Sequence, residues 1–181
     1  MSAKLVLYNA LKAKLLAIKD DQDPAVTIVK TCGHWNNQFD RINEEIQFIF
    51  PAVFIEFSNL EWKTNMGVDQ VNHTRQGEAN CDVTLHIGLT NLKDEVDSFP
   101  EDLAIIDSIY DQINEFQDTV SNQFTPLKRT TETDDTNKSN LRHWTVTFNT
   151  TLHEKGYEGT QTDATEGGDT TIKIELTKNY V

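Results

Sequence analysis

Hydrophobic residues recur at helical spacing in two segments of the chain. The first stripe consists of Leu7, Leu11, Leu15 and Ile18. The second lies in "SFPEDLAIIDSIYDQINEF", which starts at Ser98, and consists of Leu103, Ile106, Ile109 or Tyr110, Ile113 and Phe116. Spacings of three and four residues place side chains on one side of a helix. The pattern predicts two amphipathic helices, and Ser98 and Glu101 have the capping-box spacing that opens the second.

Apolar and polar residues alternate in three other segments, "PAVFIEF", "CDVTLHIGLT" and "RHWTVTFNTTLHE". A period of two is typical of a strand with one buried face. In the second segment Cys81 belongs to the apolar face and His86 to the polar face. His143 belongs to the polar face of the third segment. We expect the two histidines to be solvated or paired across the strands, where they could tune an interface with pH.

The remaining segments have weaker patterns. "AVTIVKTC" is predicted to be a short strand, "KTNMGVDQVNHTRQGEAN" a long hairpin loop or β-arm, and "TPLKRTTETDDTNKSN" a polar loop. Near the C-terminus, "TTIKIELTK" alternates as an edge strand does. Together the segments predict an α+β domain in which two main helices pack on one face of an antiparallel or mixed sheet of about four to five strands. This domain spans residues 1–155, and residues 156–181 form a flexible arm that carries a terminal strand.

Composition narrows the function classes. The chain has 181 residues, enough for one well-buried core. Its net charge of −13 argues against a main partner with a phosphate backbone, because such proteins need clustered lysine and arginine. Its two cysteines, Cys32 and Cys81, lie far apart and predict free thiols. We expect neither a signal peptide nor a membrane span, since no cleavage site or long apolar segment is present.

Few residues offer catalytic or metal-binding chemistry. Cys32 and His34, joined by Cys81 or His86, could form a zinc site, but structural zinc sites usually show two close ligand pairs. The sequence contains no phosphate-binding glycine loop, nucleophile elbow or zinc-protease motif. We therefore expect no enzyme, with no catalytic residue, no metal and no cofactor. An enzyme would instead bring Cys32, His34 and His86 together in a pocket.

Two groups of residues are candidates for protein contacts. The first is an expected subunit interface made by the polar arm and the terminal strand, and it consists of Met66, Val68, Val71, Arg75, Ile172, Ile174 and Leu176. The second is an acidic helix face that could dock a partner or line a channel, and it consists of Asp102, Asp107, Asp111, Glu115 and Asp118. Apolar residues in a polar arm often insert into a neighbouring subunit, and a terminal strand can add to its sheet.

Five segments in this order resemble a known family: "LVLYNALKAKLLAI", "FPAVFIEF", "ANCDVTLHIGLT", "EDLAIIDSIYDQINEF" and "RHWTVTFNTTLHE". They resemble the tail terminator, or tail completion, proteins of long-tailed bacteriophages, the group that includes the lambda minor tail protein U. The resemblance covers roughly residues 1–155 and rests on element order and pattern. Regions 20–50, 63–79 and 156–181 are longer than the compact family pattern.

The resemblance implies a structural protein of the virion. Such proteins form a homo-oligomeric ring, a hexamer, on the phage tail tube protein, end tail growth, and offer a docking surface to the head–tail connector or neck protein. DNA passes through the ring without specific binding, which suits an acidic chain. The implied location is the tail or neck of a virion assembled in the bacterial host cytoplasm. The alternatives are another phage neck or head–tail connector protein, or a small acidic cytoplasmic protein-binding module such as a DNA mimic.

Overall fold

The chain has an α+β fold, as predicted. The structure, a computed structural model, describes residues 2–20, 23–41, 48–65, 76–90, 99–117, 122–135 and 141–154. Its elements are α1 (Ala3–Leu16), β1 (Thr31–His34), a short 3₁₀ helix (Gln38–Arg41), β2 (Ala52–Asn65), β3 (Gln76–Thr90), α2 (Phe99–Ile113), β4 (Lys128–Asp134) and β5 (Leu141–Glu154). The predicted arm 156–181 and its predicted terminal strand lie outside the described residues.

The strands of the described residues form one mixed sheet in the order β1-β2-β3-β5-β4. β1 is parallel to β2, and the other pairs are antiparallel. The β2–β3 hairpin is paired from Ala52 opposite Gly88 to Asn65 opposite Gln76, with one irregularity in β2 between Ser58 and Glu61. Isolated bridges from Lys19 to Thr27 and from Phe124 to Leu152 extend the hydrogen bonding beyond the named strands. The β structure is therefore somewhat more extensive than predicted.

Both helices pack on the same face of the sheet, which we call the helix-side face. The predicted stripes of α1 and α2 meet the apolar faces of β2, β3 and β5 in one buried cluster. Its central strand residues are Val53, Ile55, Cys81, Val83, Leu85, Ile87, Val146 and Phe148. Full burial of one such aliphatic or aromatic side chain contributes roughly 1.5–3 kcal/mol. The alternation in the sequence therefore identified the main core correctly.

Two predictions of secondary structure are wrong in part. The segment predicted as a polar loop contains β4, all seven residues of which are exposed. An edge strand without a buried face has no apolar alternation, and β4 is held by its threonines' β-propensity and its ladder with β5. The strand predicted in "AVTIVKTC" is confined to Thr31–His34, at its C-terminal end and just beyond.

Candidate functional site

The sheet face opposite the helices carries a cluster of ionisable and aromatic side chains. Phe54 of β2 lies opposite His86 of β3, and Gly88 of β3 lies opposite His143 of β5. Residues that are paired across strands project to the same side of a sheet. Glu56, two residues after Phe54, therefore shares this face with both histidines. We call this side the opposite face.

Aromatic residues from the segment between β1 and β2 lie over one end of the opposite face. This aromatic cover consists of Trp35, Phe39, Phe48 and Phe50, and it packs on Ala52, Phe54 and Leu141. The Trp35 ring is stacked on His86 with 3.9 Å between the ring centroids and 4° between the planes. The Trp35 backbone N–H donates to the Ile55 carbonyl oxygen at 2.9 Å. The cover is thus tied to β2 by its backbone and to β3 by ring stacking.

Gly88 makes room for this cover. A Cβ atom at position 88 would lie 2.4 Å from Cζ and 2.5 Å from Cε1 of Phe39. Real Cβ atoms do not approach carbon atoms this closely, because the contact is far inside the van der Waals distance. Only glycine lets the Phe39 ring reach the backbone of β3 in this arrangement.

Four side chains beneath the cover form a row that we call the histidine chain: Glu56, His86, His143 and Asp135. His86 Nε2 is 2.8 Å from Glu56 Oε2, and His86 Nδ1 is 3.1 Å from His143 Nε2. His143 Nδ1 is 3.7 Å from Asp135 Oδ2. Of the two alternatives expected from the sequence, the structure shows the histidines paired across the strands and not solvated.

The histidine chain is buried in the middle and open to solvent at both ends. The side chains of His86 and His143 are 10% and 7% exposed, whereas those of Glu56 and Asp135 are 44% and 47% exposed. The sequence indicated a polar strand face but not the aromatic cover that removes both imidazoles from water. Burial lowers the pKa of His86 from its ordinary value, and the hydrogen bond and charge of Glu56 act in the opposite direction.

Beyond the cover, the opposite face is a ladder of polar side chains. Thr84 Oγ1 is 3.0 Å from Thr147 Oγ1, and Asn149 Nδ2 donates to Asp82 Oδ1 at 2.7 Å. Thr151 Oγ1 donates to Asn80 Oδ1 at 3.3 Å. These side chains already hydrogen-bond to one another across β3 and β5. The ladder is a polar surface suited to contact with a polar partner.

The residues considered for zinc binding or thiol catalysis do not converge. Cys32 is paired in register with Val53 and packs against the helix-side core, where Cys81 is fully buried. His86 lies on the opposite face, so the sheet separates it from both thiols. Burial raises the pKa of Cys32 and of Cys81 to about 11. Within the described parts of the chain, no group of three or more His, Cys, Asp or Glu side chains is arranged to hold a metal ion.

Of the residues in the predicted acidic helix face, three are exposed and one is buried, and the docking or channel-lining role stays a prediction. Asp107, Asp111 and Glu115 are exposed. Asp102 is only 7% exposed and accepts a hydrogen bond from Arg142 of β5 on the helix-side face. It lies four residues before Ile106, in line with the buried stripe, so the helical spacing itself placed it toward the sheet. Asp118 lies outside the described residues.

A groove lies between residues 26–30 and α2, with Asp20 and Pro51 also in its lining. It has a volume of about 510 Å³, and Val26, Ile28 and Ile105 give it apolar walls, with Lys30 and Glu101 among its polar residues. Val26 is 39% exposed. The sequence did not indicate this groove, because residues 25–30 were assigned to a strand rather than to a segment that crosses the end of α2.

The predicted subunit-interface residues, in the arm 66–75 and the strand 172–176, lie outside the described residues. Among the helices that the structure describes, none is long and apolar enough to cross a bilayer. A scan against protein-family models and a search of the curated proteins found no match to this chain.

Proposed function

We propose that this chain is a structural protein of the phage tail terminator type. It assembles as a ring on the tail tube, ends tube growth, and presents a surface for head–tail joining. The observation that carries the proposal is the layout of the domain. Helix α1, the long β2–β3 hairpin, α2 and β5 follow one another in the order on which the family resemblance rests, with both helices on one sheet face.

Three physical features support a role in assembly. Strands β1 and β4 are the two edges of the described sheet, and an edge strand can pair with another chain. The opposite face beyond the aromatic cover presents a flat polar surface. The net charge of −13 makes the chain repel DNA, which favours a channel through which DNA slides.

The proposal is tested by native mass measurement and negative-stain imaging of the full chain over a concentration series. We expect a closed ring of six copies with a central hole. Deletion of residues 156–181 should weaken assembly and leave the domain folded, because the terminal strand is the proposed link between subunits. A chain that remains monomeric at every concentration would contradict the ring. A truncated chain that assembles as the full chain does would contradict the role of residues 156–181 in assembly.

A second candidate is a monomeric acidic module that binds another protein. The observation that favours it is the groove beside α2, since its volume of about 510 Å³ and its apolar walls suit an inserted side chain or short peptide. The acidic residues Asp107 and Asp111 are exposed on the same helix. A strict monomer whose partner binding is lost on substitution of Ile105→Glu would favour this candidate over the ring.

A further inference from the structure

The four ring nitrogens of His86 and His143 can carry only a limited number of hydrogens in this arrangement, and each position that can carry one is called a place below. An ionised carboxylate only accepts hydrogen bonds, so His86 Nε2 must carry the hydrogen that faces Glu56. The contact between His86 Nδ1 and His143 Nε2 holds one hydrogen, donated by either ring. The third place is His143 Nδ1, which faces Asp135. With all three places filled, the two imidazoles share one positive charge between two carboxylates.

A fourth hydrogen has no place in this arrangement. It would put N–H groups on both His86 Nδ1 and His143 Nε2, which are 3.1 Å apart and point at each other. Two charged imidazoles would then repel each other through both their charges and their facing hydrogens. Because Trp35 is stacked on His86 and 5.6 Å from His143, the cover lies directly on the pair that must separate.

We propose that the histidine chain is a proton-operated latch for the aromatic cover. In its three-hydrogen form it holds the cover closed on the opposite face. Uptake of one further proton separates the two imidazoles and releases Trp35 and Phe39 from the sheet. Release exposes the apolar surface formed by Ala52, Phe54 and Leu141, which the closed cover buries. The device is a property of this domain and holds whether or not the chain forms a ring.

The direction of the pH dependence follows from the surroundings of the two rings. Among the described residues, the ionisable groups that contact the two rings include Glu56 from β2 and Asp135 after β4, while Trp35, Phe39 and Phe54 supply apolar walls. Burial lowers the pKa of His86 in the closed state. Two exposed imidazoles bind up to two protons as the pH falls below about 6.5, whereas the closed pair carries at most one charge. Opening therefore takes up a proton at low pH, and the closed state loses stability as the pH falls below about 6.5. For one proton taken up, the opening constant rises about tenfold per pH unit below about pH 6.5.

The test is hydrogen exchange of the Trp35 amide in the full chain from pH 7.5 to pH 5, corrected for intrinsic exchange rates. This amide donates to the Ile55 carbonyl oxygen one residue beyond the His34–Ile55 pair at which β1 ends, so we expect release of Trp35 from His86 to open this bond before the ladder of β1 and β2 opens. We expect its protection to fall about tenfold per pH unit below about pH 6.5, while amides in the middle of α1 keep their protection. The proposal is overturned if the protection of the Trp35 amide does not change with pH, or if it changes in parallel with the protection of the α1 amides.

A matched pair of substitutions on β5 tests the role of the imidazole pair. In His143→Gln the amide group can donate to a neutral His86 or accept from a charged one, so we expect the pH dependence at Trp35 to flatten while the cover stays closed. In His153→Gln the same substitution is made on the same strand, where His153 faces Glu78 at the far end. We expect the wild-type profile there. A wild-type slope in His143→Gln overturns the proposal, and should that variant fail to fold, the wild-type profile decides alone.

Discussion

The two faces of the sheet are buried by different means. On the helix-side face, two helices cover a continuous apolar surface with Leu85, Val146 and Phe148 at its centre. On the opposite face, a short segment covers one end with aromatic rings over two imidazoles, and the rest is a polar ladder. The first arrangement excludes water from apolar groups, which is the main source of fold stability. The second buries two imidazoles, and burial lowers the pKa of His86.

This difference assigns the two faces to different roles. Substitutions in the helix-side core act on the stability of the whole domain, because both helices and the three long strands meet there. Substitutions under the aromatic cover act first on the local contact of Trp35, Phe39, Phe48 and Phe50 with the strands. The proposed pH response belongs to that local contact. The three predictions that follow compare positions on the two faces or matched positions on one of them.

The largest effect is expected at Asp102, which forms a buried ion pair with Arg142 on the helix-side face. Asp102→Ala leaves a guanidinium whose side chain is only 14% exposed without its carboxylate, and we expect the free energy of unfolding to fall by about 3–5 kcal/mol. Asp107→Ala removes the same group from the exposed side of α2 and should change it by less than about 0.5 kcal/mol. Urea denaturation of both variants measures the difference.

A double substitution separates the lost pair from the lost carboxylate. Asp102→Leu combined with Arg142→Met replaces the buried charges by apolar groups of similar size, which is often neutral for stability. We expect the double variant to recover most of the loss in Asp102→Ala. Equal free energies of unfolding for Asp102→Ala and Asp107→Ala would contradict the prediction, because they would show that the buried Asp102–Arg142 pair adds nothing to stability.

The helix-side core could be predicted from the sequence because burial on one face leaves a period in the chain. The stripes of α1 and α2 and the alternation in β3 and β5 are examples of such periods. Asp102 was expected to be exposed because it is charged. Its spacing of four residues from Ile106 nevertheless indicated the buried side of α2. Strand β4 left no period, because all of its residues are exposed.

The candidate site was predictable only in part. Alternation placed His86 and His143 on polar strand faces and left open whether they would be solvated or paired across the strands, as the structure shows them to be. Their burial did not follow, because the aromatic residues of "WNNQFDRINEEIQFIF" have no regular spacing that would mark them as a cover. Contacts such as Trp35 on His86 depend on tertiary structure, which a local pattern does not record.

An intermediate effect is expected at Gly88 on the opposite face. In Gly88→Ala the added Cβ would lie 2.4 Å from the Phe39 ring, so the cover must shift, and we expect a loss of about 1–3 kcal/mol in unfolding free energy. Gly33→Ala on β1 is the matched control, because the nearest atoms there are Phe54 ring carbons at 3.4 Å. It should lie within about 1 kcal/mol of the wild type.

The role of Phe39 can be checked directly in the Gly88→Ala variant. Adding Phe39→Leu removes the ring that the new methyl group meets, so the cost of Gly88→Ala should be smaller in that background. Thermal denaturation of the four chains in this cycle gives the coupling. An identical cost in both backgrounds would mean that Gly88 is required for another reason than room for the cover.

The last prediction concerns the thiols of the helix-side face. Their alkylation rates measure directly how far water reaches this core. Burial raises the pKa of Cys32 and Cys81 to about 11 from 9.0, so at pH 8 the thiolate fraction falls about a hundredfold. We expect iodoacetamide to alkylate both residues at least about a hundredfold more slowly in the native chain than in urea, with Cys81 the slower because it is fully buried. Peptide mass spectrometry over a time course measures both rates. Rapid native labelling would mean that water reaches the helix-side core, and the contrast between a dry apolar face and a protonatable opposite face would then fail.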